Sequence, residues 1–237
     1  MIPLVAKVGD MLIAEDLLLL LTNDETGKLA ASHSEVDVAL GGALLVELAL
    51  MRRVDLAGPS EQVRRGRLVV RDASATSDPL LDEALATVGE KEGKKPQDVV
   101  TALGKHVRVR LYDRLVGRGL VRAESGKVLG IFPGHNWPAQ DAAHEDFVRA
   151  DLLTALRNAT TGDARTGALI SLLLALKAVP KAVDPAAAGL STREMNANAK
   201  RIAQGDWASD AVRHAIDSMI AAVIAATSAT VVLGGGS

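Results

Sequence analysis

Cysteine is absent from the 237 residues, which excludes disulfide bonds and thiolate metal sites and fits a cytoplasmic protein. Aromatic residues make up only 2% of the chain. A core must therefore be filled by Ala, Leu, Val and Ile, a mixture that favours helix over sheet. Neither charge sign predominates, because 27 Lys and Arg residues face 29 Asp and Glu residues. Bulk basicity therefore cannot be the main attraction to nucleic acid or to a membrane.

Motifs for catalysis and metal binding are also missing. The five histidines show no HExxH spacing, and the chain contains no GxSxG sequence, no Walker loop and no strand-linked GxGxxG. We therefore expect a protein that is not an enzyme, with no catalytic residues, no metal site and no cofactor. The N-terminal residues lack the pattern of a signal peptide, so we expect a cytoplasmic location.

Two apolar segments, residues 38–51 and 167–179, predict helices buried in a core. Glu47 is the only charged residue of the first segment, and we expect a cation or the backbone to pair with it. As a helix this segment would be about 21 Å long, too short to cross a bilayer. Six leucines of the two segments should share one core: Leu44, Leu45, Leu48, Leu169, Leu172 and Leu173. Residues 11–21 are also apolar, but their pattern fits either a helix or a strand.

The expected fold is mainly α, a helical bundle around central apolar helices with short peripheral β-hairpins. With 48% hydrophobic residues, the chain can bury one large core. We predict a single domain over residues 11–230, an N-terminal tail at residues 1–10 and a flexible C-terminal tail at residues 231–237.

Two intervals are rich in basic residues. The first holds six arginines against Asp55 and Glu61: Arg52, Arg53, Arg64, Arg65, Arg67 and Arg71. The second, residues 94–122, has eight Lys and Arg against two Asp. Here Pro96 begins a predicted helix that runs to about residue 116, with Lys105, Arg108 and Tyr112 opposite its apolar face. Any polyanion site should be a local patch of this kind.

A hairpin should follow this helix. Residues 120–132 predict two short strands around a turn at Ser125 and Gly126, and residues 132–138 predict a loop rich in Gly and Pro. Five large apolar side chains gather here: Val128, Leu129, Ile131, Phe132 and Trp137. The simplest interpretation is a hairpin packed on the domain, and a functional one is the alternative.

The segments LLLLLTNDETGKL, LGGALLVELALMRRVDL, DPLLDEAL, HVRVRLYDRLVGRGLV and GALISLLLAL occur in this order. Together they resemble the Golgi phosphoprotein 3 family over about residues 11–226. The resemblance implies an all-helical fold with short outer hairpins and a peripheral membrane role without catalysis. Eukaryotic members resemble readers of phosphatidylinositol 4-phosphate that hold the phosphate with a tryptophan and three arginines, and that link membrane to cargo enzymes and coat.

Carried over by motif, two of the family's arginines fall on Lys105 and Arg108, where charge is kept. The tryptophan falls on about Ser32 and the third arginine on Gly41, so the resemblance implies that these two contacts are lost. A phosphate site with two cations and no aromatic wall should be weaker and less selective. These departures and the alanine-rich composition favour a bacterial member of the family.

The resemblance also gives the hairpin a role, since residues 126–138 match an element that inserts into membranes or self-associates. Phe132 and Trp137 would lie at the lipid interface, with Lys127 and Arg122 near anionic headgroups. The expected partners are an anionic membrane surface or a phosphoinositide-like lipid, a protein cargo and a second copy of the chain.

A winged-helix nucleic-acid-binding protein is the alternative. A basic helix followed by a two-stranded turn also fits that class. The exposed helix face offers mainly Lys, Arg and Tyr, however, and apolar residues in the hairpin suit lipid better than DNA. Nucleic acid is therefore the less favoured partner.

Overall fold

Helices account for most of the fold in the computed structural model, which describes residues 11–128, 132–205, 207–208 and 210–234. In chain order they are α1 (Ile13–Leu21), α2 (His33–Leu50), α3 (Pro79–Glu90), α4 (Pro96–Gly104), α5 (Val107–Gly117), α6 (Ala143–Asn158), α7 (Ala164–Ala175), α8 (Val179–Ala182), α9 (Pro185–Ala188), α10 (Thr192–Ala203) and α11 (Asp210–Gly234). Two antiparallel strand pairs accompany them, β1 (Val54–Leu56) with β2 (Leu68–Val70) and β3 (Glu124–Val128) with β4 (Phe132–Asn136). The prediction of a mainly α fold with short β-hairpins is confirmed.

The predicted central helix is α2, which packs against α1, α4, α5, α7 and α11. It begins at His33, ahead of the apolar segment, because Ser32 and Glu35 form a capping box. Ser32 Oγ accepts a hydrogen bond from the Glu35 amide at 3.3 Å, and the Glu35 carboxylate accepts one from the Ser32 amide at 3.0 Å. The six leucines expected in one core are buried in a single cluster, as predicted: Leu44, Leu45, Leu48, Leu169, Leu172 and Leu173.

The second apolar segment is divided between two helices. Asp163 caps α7 by accepting a hydrogen bond from the Thr166 amide at 2.8 Å, and the helix ends at Ala175. Lys177 then has a φ of 53°, a left-handed conformation that interrupts the helix before α8 begins at Val179.

The ambiguous segment 11–21 is a helix, α1, and every residue of it is buried, including Glu15 and Asp16. Arg114 Nε of α5 lies 2.9 Å from Glu15, and Arg165 Nη2 of α7 lies 2.6 Å from Asp16. A buried carboxylate is costly unless it is paired. These two arginines therefore allow α1 to enter the core.

Glu47 has the partners that the sequence predicts. Its carboxylate accepts a hydrogen bond from the Ile13 amide at 2.5 Å and lies 3.4 Å from Arg165 Nη1. Burial raises the pKa of Glu47, and the charge of Arg165 opposes that rise.

The single helix predicted from Pro96 to about residue 116 is wrong, because the chain forms two helices there. The first, α4, ends at Gly104, and His106 has a φ of 62° before α5 begins. A Cβ on Gly104 would lie 2.0 Å from the carbonyl oxygen of Asp37 in α2. The chain changes direction where α4 meets the α2 backbone, so Lys105 and Arg108 do not belong to one helix.

Gly41 forms the other side of this contact. A Cβ on Gly41 would lie 2.1 Å from the carbonyl oxygen of Val100 and 2.5 Å from the amide nitrogen of Gly104. Any larger side chain at position 41 would push the two backbones apart. The glycines therefore let α2 and α4 pack backbone against backbone.

The second hairpin differs from the predicted one. Ser125 and Gly126 do not form a turn; they lie in β3 and pair with His135 and Gly134 of β4. Residues 132–136, predicted as part of a loop, are the strand β4. The connection between the strands falls at residues 129–131, outside the described residues. The Gly and Pro that suggested a loop are accommodated in a two-stranded ribbon, where most positions lie at an edge.

Two residues near the start of α6 bring further charge into the interior. His144 Nε2 lies 2.7 Å from Asp16 Oδ1, and Arg149 Nη2 lies 2.7 Å from Glu145 Oε1. Burial raises the pKa of Glu145 to about 7, because the loss of hydration outweighs the attraction of Arg149.

Gly41→Ala should lower the free energy of unfolding by at least about 2 kcal/mol, because the added methyl group overpacks the α2–α4 contact. Gly89→Ala in α3 is the matched control, since no neighbouring atom lies within 4 Å of a Cβ there. The control should be unchanged or more stable by up to about 1 kcal/mol. Urea unfolding followed by circular dichroism measures both. Equal stability of the two variants would contradict the close contact.

Glu145→Gln should weaken the dependence of stability on pH. The folded state binds a proton at Glu145 up to about pH 7, whereas an exposed glutamate releases it near 4.5. The free energy of unfolding should therefore fall as pH rises through this window, by on the order of 2 kcal/mol from this group. Urea unfolding at pH 5 and pH 8 should show a smaller fall in the variant. The same fall in both proteins would show that Glu145 is not the cause.

Candidate functional site

A cavity of about 390 Å³ lies at the N-terminal end of α2. Its walls come from the turn after α1, the start of α2 and the end of β4. The lining residues are Gly27, Lys28, Leu29, Ala31, Ser32, His33, Asn136 and Trp137. It therefore brings the predicted Ser32 and Trp137 together, although they are far apart in the sequence.

The turn that forms one wall is held by local bonds and by the hairpin. Asn23 Oδ1 accepts hydrogen bonds from the amide and the hydroxyl of Thr26, both at 2.8 Å. Gly27 has a φ of 63°, and a Cβ there would lie 2.2 Å from the Trp137 amide nitrogen. Only glycine permits this approach, which fixes the end of β4 against the turn.

Trp137 stacks on Tyr112 of α5, with ring centroids 3.9 Å apart and planes 4° from parallel. The Tyr112 hydroxyl lies 2.8 Å from Thr22 Oγ1, and burial raises the pKa of Tyr112 to about 12. The placement of Tyr112 on an outer basic stripe is wrong, because Tyr112 is buried. Trp137 is half-buried and packs on the domain, as the simplest interpretation of the hairpin expects, and its contact with a membrane stays a prediction.

Arg108 reaches this region from α5, one turn before Tyr112. Its Nε donates to Asp37 Oδ1 at 2.7 Å, and Asp37 follows Ser32 by little more than one turn of α2. The guanidinium makes no other hydrogen bond to a described residue. Arg108 is not among the residues that line the cavity; it is held at Asp37 of α2, and that carboxylate partly offsets its charge.

The other two predicted headgroup residues lie elsewhere. Lys105 is exposed and lines a separate cleft of about 110 Å³ with Glu83 and Arg110, not the cavity. Gly41 is buried in the α2–α4 contact and cannot touch a ligand. An arginine at position 41 would be incompatible with that contact.

Most of the basic stripe after Lys105 is neutralised within the protein. Arg110 pairs with Glu83 at 2.6 Å, Arg114 with Asp78 at 2.6 Å and Arg122 with Glu124 at 2.7 Å, and Arg118 lies 3.7 Å from Glu15. A helix that reads nucleic acid needs its cations at the surface and unpaired. This helix therefore lends no support to the winged-helix alternative.

Lys28 and His33 are cavity residues that the sequence analysis missed. Both are exposed, and neither side chain forms a hydrogen bond or ion pair with a described residue. A signal was present, because Lys28 ends the NDETGK turn and His33 starts the helix after its Ser32 cap. Both lie within a few residues of the position matched to the family's tryptophan.

The side chains of four residues in the predicted membrane contact are outside the described part of the structure. Leu129 and Ile131 lie outside the described residues. Val128 and Phe132 are described only as backbone positions at the ends of β3 and β4.

Among residues whose positions are described, no helix has both the length and the apolarity needed to cross a bilayer. Within those same ranges no cluster of three or more potential metal ligands occurs.

Comparison with known proteins identifies the family to which this chain belongs. The model of the Golgi phosphoprotein 3 (GPP34) family matches residues 13–219, which contain α1 to α10 and every residue of the cavity. The chain belongs to the Golgi phosphoprotein 3 family. The suggestion that it is a bacterial member stays a prediction.

A relative is vacuolar protein sorting-associated protein 74 of Eremothecium gossypii, which is 28% identical over 164 residues. The aligned region covers 61% of this chain and 48% of that protein, so the chain spans about half the length of its relative. The similarity therefore concerns the shared helical domain.

Trp137→Ala should lower the free energy of unfolding by on the order of 3 kcal/mol, because it removes a ring that packs on Tyr112 and on the turn at Gly27. Trp137→Phe keeps a stacked ring and should lose less than half of that amount. Urea unfolding measures both variants. If Trp137 contacted only a membrane, neither change would alter stability in solution, and that result would contradict the packing.

Proposed function

We propose that the protein is a non-enzymatic peripheral membrane protein that binds the headgroup of an anionic phospholipid, of the phosphatidylinositol 4-phosphate type, in the cavity at the start of α2. The observation that carries the proposal is the grouping of Lys28, His33 and Trp137 in one cavity, with Arg108 paired to Asp37 on the helix that begins at His33. The cavity volume of about 390 Å³ suits a headgroup-sized ligand.

The chemistry of the cavity suits a phosphate. Arg108 can donate two hydrogen bonds from its terminal amino groups, and Lys28 adds a mobile positive charge. The positive end of the α2 dipole adds a weaker attraction at His33. Asp37 opposes this, because its carboxylate already accepts a hydrogen bond from Arg108. The site should therefore bind phosphate more weakly and less selectively than one with three unpaired arginines.

Trp137 supports the site in a way that differs from the family's tryptophan. The family position corresponds to Ser32, which here caps α2. Trp137 enters the same cavity from β4, so an aromatic wall is present although the residue comes from another part of the chain. Lys105 remains a candidate for a second, peripheral contact with headgroups, as an exposed cation near the junction of α4 and α5.

The β3–β4 hairpin adjoins the cavity through Asn136 and Trp137 and is the proposed apolar contact with the bilayer. Its four remaining predicted contact residues are Val128, Leu129, Ile131 and Phe132. We propose a cytoplasmic, peripherally membrane-associated location, with protein cargo and self-association through the hairpin as further roles that follow from the family.

Liposome flotation tests the headgroup site. Vesicles of phosphatidylcholine should carry phosphatidylinositol 4-phosphate, phosphatidylserine or no added lipid. Lys28→Glu combined with Arg108→Gln should lower binding to anionic vesicles on the order of tenfold or more at low salt. The loss should be smaller at high salt, because screening already weakens the attraction there. Glutamine at position 108 avoids a second carboxylate beside Asp37.

The matched control is Arg193→Glu with Arg201→Gln, which makes the same charge change at two exposed positions of α10. It should bind as wild type does. A separate Lys105→Glu variant reports whether the lysine outside the cavity contributes. The proposal fails if folded wild type ignores anionic vesicles, or if the control loses as much binding as the cavity variant.

Phe132→Ser tests the hairpin. It should weaken vesicle binding at every salt concentration, because burial of apolar area is not screened. Circular dichroism and thermal melting should show that the variant still folds. Loss of binding only at low salt would show that the hairpin acts through charge and not through insertion.

A further inference from the structure

A second cavity, of about 450 Å³, lies between the β1–β2 hairpin, the start of α4 and the middle of α11. Four cations line it: Arg64, Arg65, Arg67 and Lys95. No Asp or Glu is among the residues that line it. The cavity is therefore a concentrated positive site in a protein whose formal net charge is −2.

The carboxylates of the hairpin are already used by other arginines. Arg71 binds both oxygens of Glu61, at 2.8 and 2.9 Å, and lies 3.5 Å from Asp55. Arg53 pairs with Asp72 at 2.6 Å. The two acidic residues that the sequence sets against six arginines thus serve only one of them.

The four lining cations have no such partners. Within the part of the chain that the structure describes, none of their side chains donates a hydrogen bond or forms an ion pair. Arg64, Arg65 and Lys95 are exposed, and Arg67 is half-buried. Holding like charges together costs free energy that a bound anion would recover.

The remaining walls favour a bound anion. The N-terminal end of α4 opens into the cavity at Pro96 and Gln97, and its N-cap, Lys95, provides no side-chain cap. The positive end of a helix dipole therefore adds to the four cations. On α11 the wall consists of Ser218 and two alanines, small residues that leave room for a ligand.

We propose that this cavity binds a small ligand that carries a pyrophosphate or two neighbouring phosphate groups. A single phosphate brings a charge of about −1.5 to −2 at pH 7 and would leave about half of the four positive charges uncompensated. Two phosphates match them. The four cations lie on one open cavity, and arginine forks bind phosphate oxygens in pairs.

This site is distinct from the proposed headgroup cavity. Lys95 and Lys105 mark the two ends of α4, and a helix of that length separates them by about 15 Å. Arg108 follows the second end, and no residue lines both cavities. One phosphate cannot reach both sites, and binding at the basic cavity does not depend on the lipid proposal.

Isothermal titration calorimetry of the full chain with inorganic pyrophosphate, at low salt and without a membrane, tests the proposal. Wild type should bind one pyrophosphate, and more tightly than inorganic phosphate. Arg65→Ala with Arg67→Ala should weaken binding about tenfold or more, because each lost charge-assisted hydrogen bond is worth at least that factor. Ala221→Glu should also weaken it, by placing a carboxylate on the opposite wall while all four cations stay.

The matched control is Arg193→Ala with Arg201→Ala, which removes two exposed arginines from α10. This variant should bind pyrophosphate as wild type does. Circular dichroism checks the folding of each variant, and Ala221→Glu keeps the test valid if the arginine variant does not fold. A second arm, flotation on vesicles with phosphatidylinositol 4,5-bisphosphate, distinguishes the two sources. If pyrophosphate displaces wild type from these vesicles and this effect is lost in Ala221→Glu, the ligand is a lipid bisphosphate. If pyrophosphate does not displace wild type, the ligand is soluble.

Three results would overturn the proposal. Wild type could fail to bind pyrophosphate at low salt. The control could lose as much binding as the cavity variants, which would show an effect of overall charge only. A DNA duplex could bind at the cavity without displacement by excess pyrophosphate, which would assign the site to a polymer. None of these results bears on vesicle binding by the headgroup cavity.

Discussion

The contact between the backbones of α2 and α4 positions most of what surrounds the headgroup cavity. Gly41 and Gly104 allow this contact because neither carries a Cβ that would enter the other helix. It ends α4 at Gly104 and forces the left-handed turn at His106 before α5 begins. That turn directs α5 so that Arg108 meets Asp37 and Tyr112 meets Trp137. An arginine at position 41 would not fit the packing that places Arg108.

The distribution of charge follows from burial of α1. Glu15 and Asp16 enter the core and need cations, and they obtain them from Arg114 of α5 and Arg165 of α7. Arg114 of α5 is therefore structural, although it lies in the most basic interval of the chain. Three arginines of the β1–β2 hairpin, Arg64, Arg65 and Arg67, form no ion pair with a described residue and line the basic cavity. A basic interval in sequence and a basic surface in space are different properties here.

The two cavities differ in what they could select. The headgroup cavity combines an aromatic wall and an exposed lysine with the end of the β3–β4 hairpin, a combination that suits a ligand held at a membrane. The basic cavity has four uncompensated cations and small aliphatic walls, which suit a compact and highly charged ligand.

The sequence by itself determined the helical class, the central helix and the absence of known catalytic motifs. The first two depend on contiguous apolar residues, a local property of the chain. Only the tertiary structure decided that the helix after Pro96 breaks, that Tyr112 and Trp137 stack, and that Lys105 lies outside the cavity. The pairs that neutralise the arginines join residues 71 and 149 positions apart, as in Arg108 with Asp37 and Arg165 with Asp16. No local sequence pattern indicates such pairs, because the charged residues come together only when the whole chain folds.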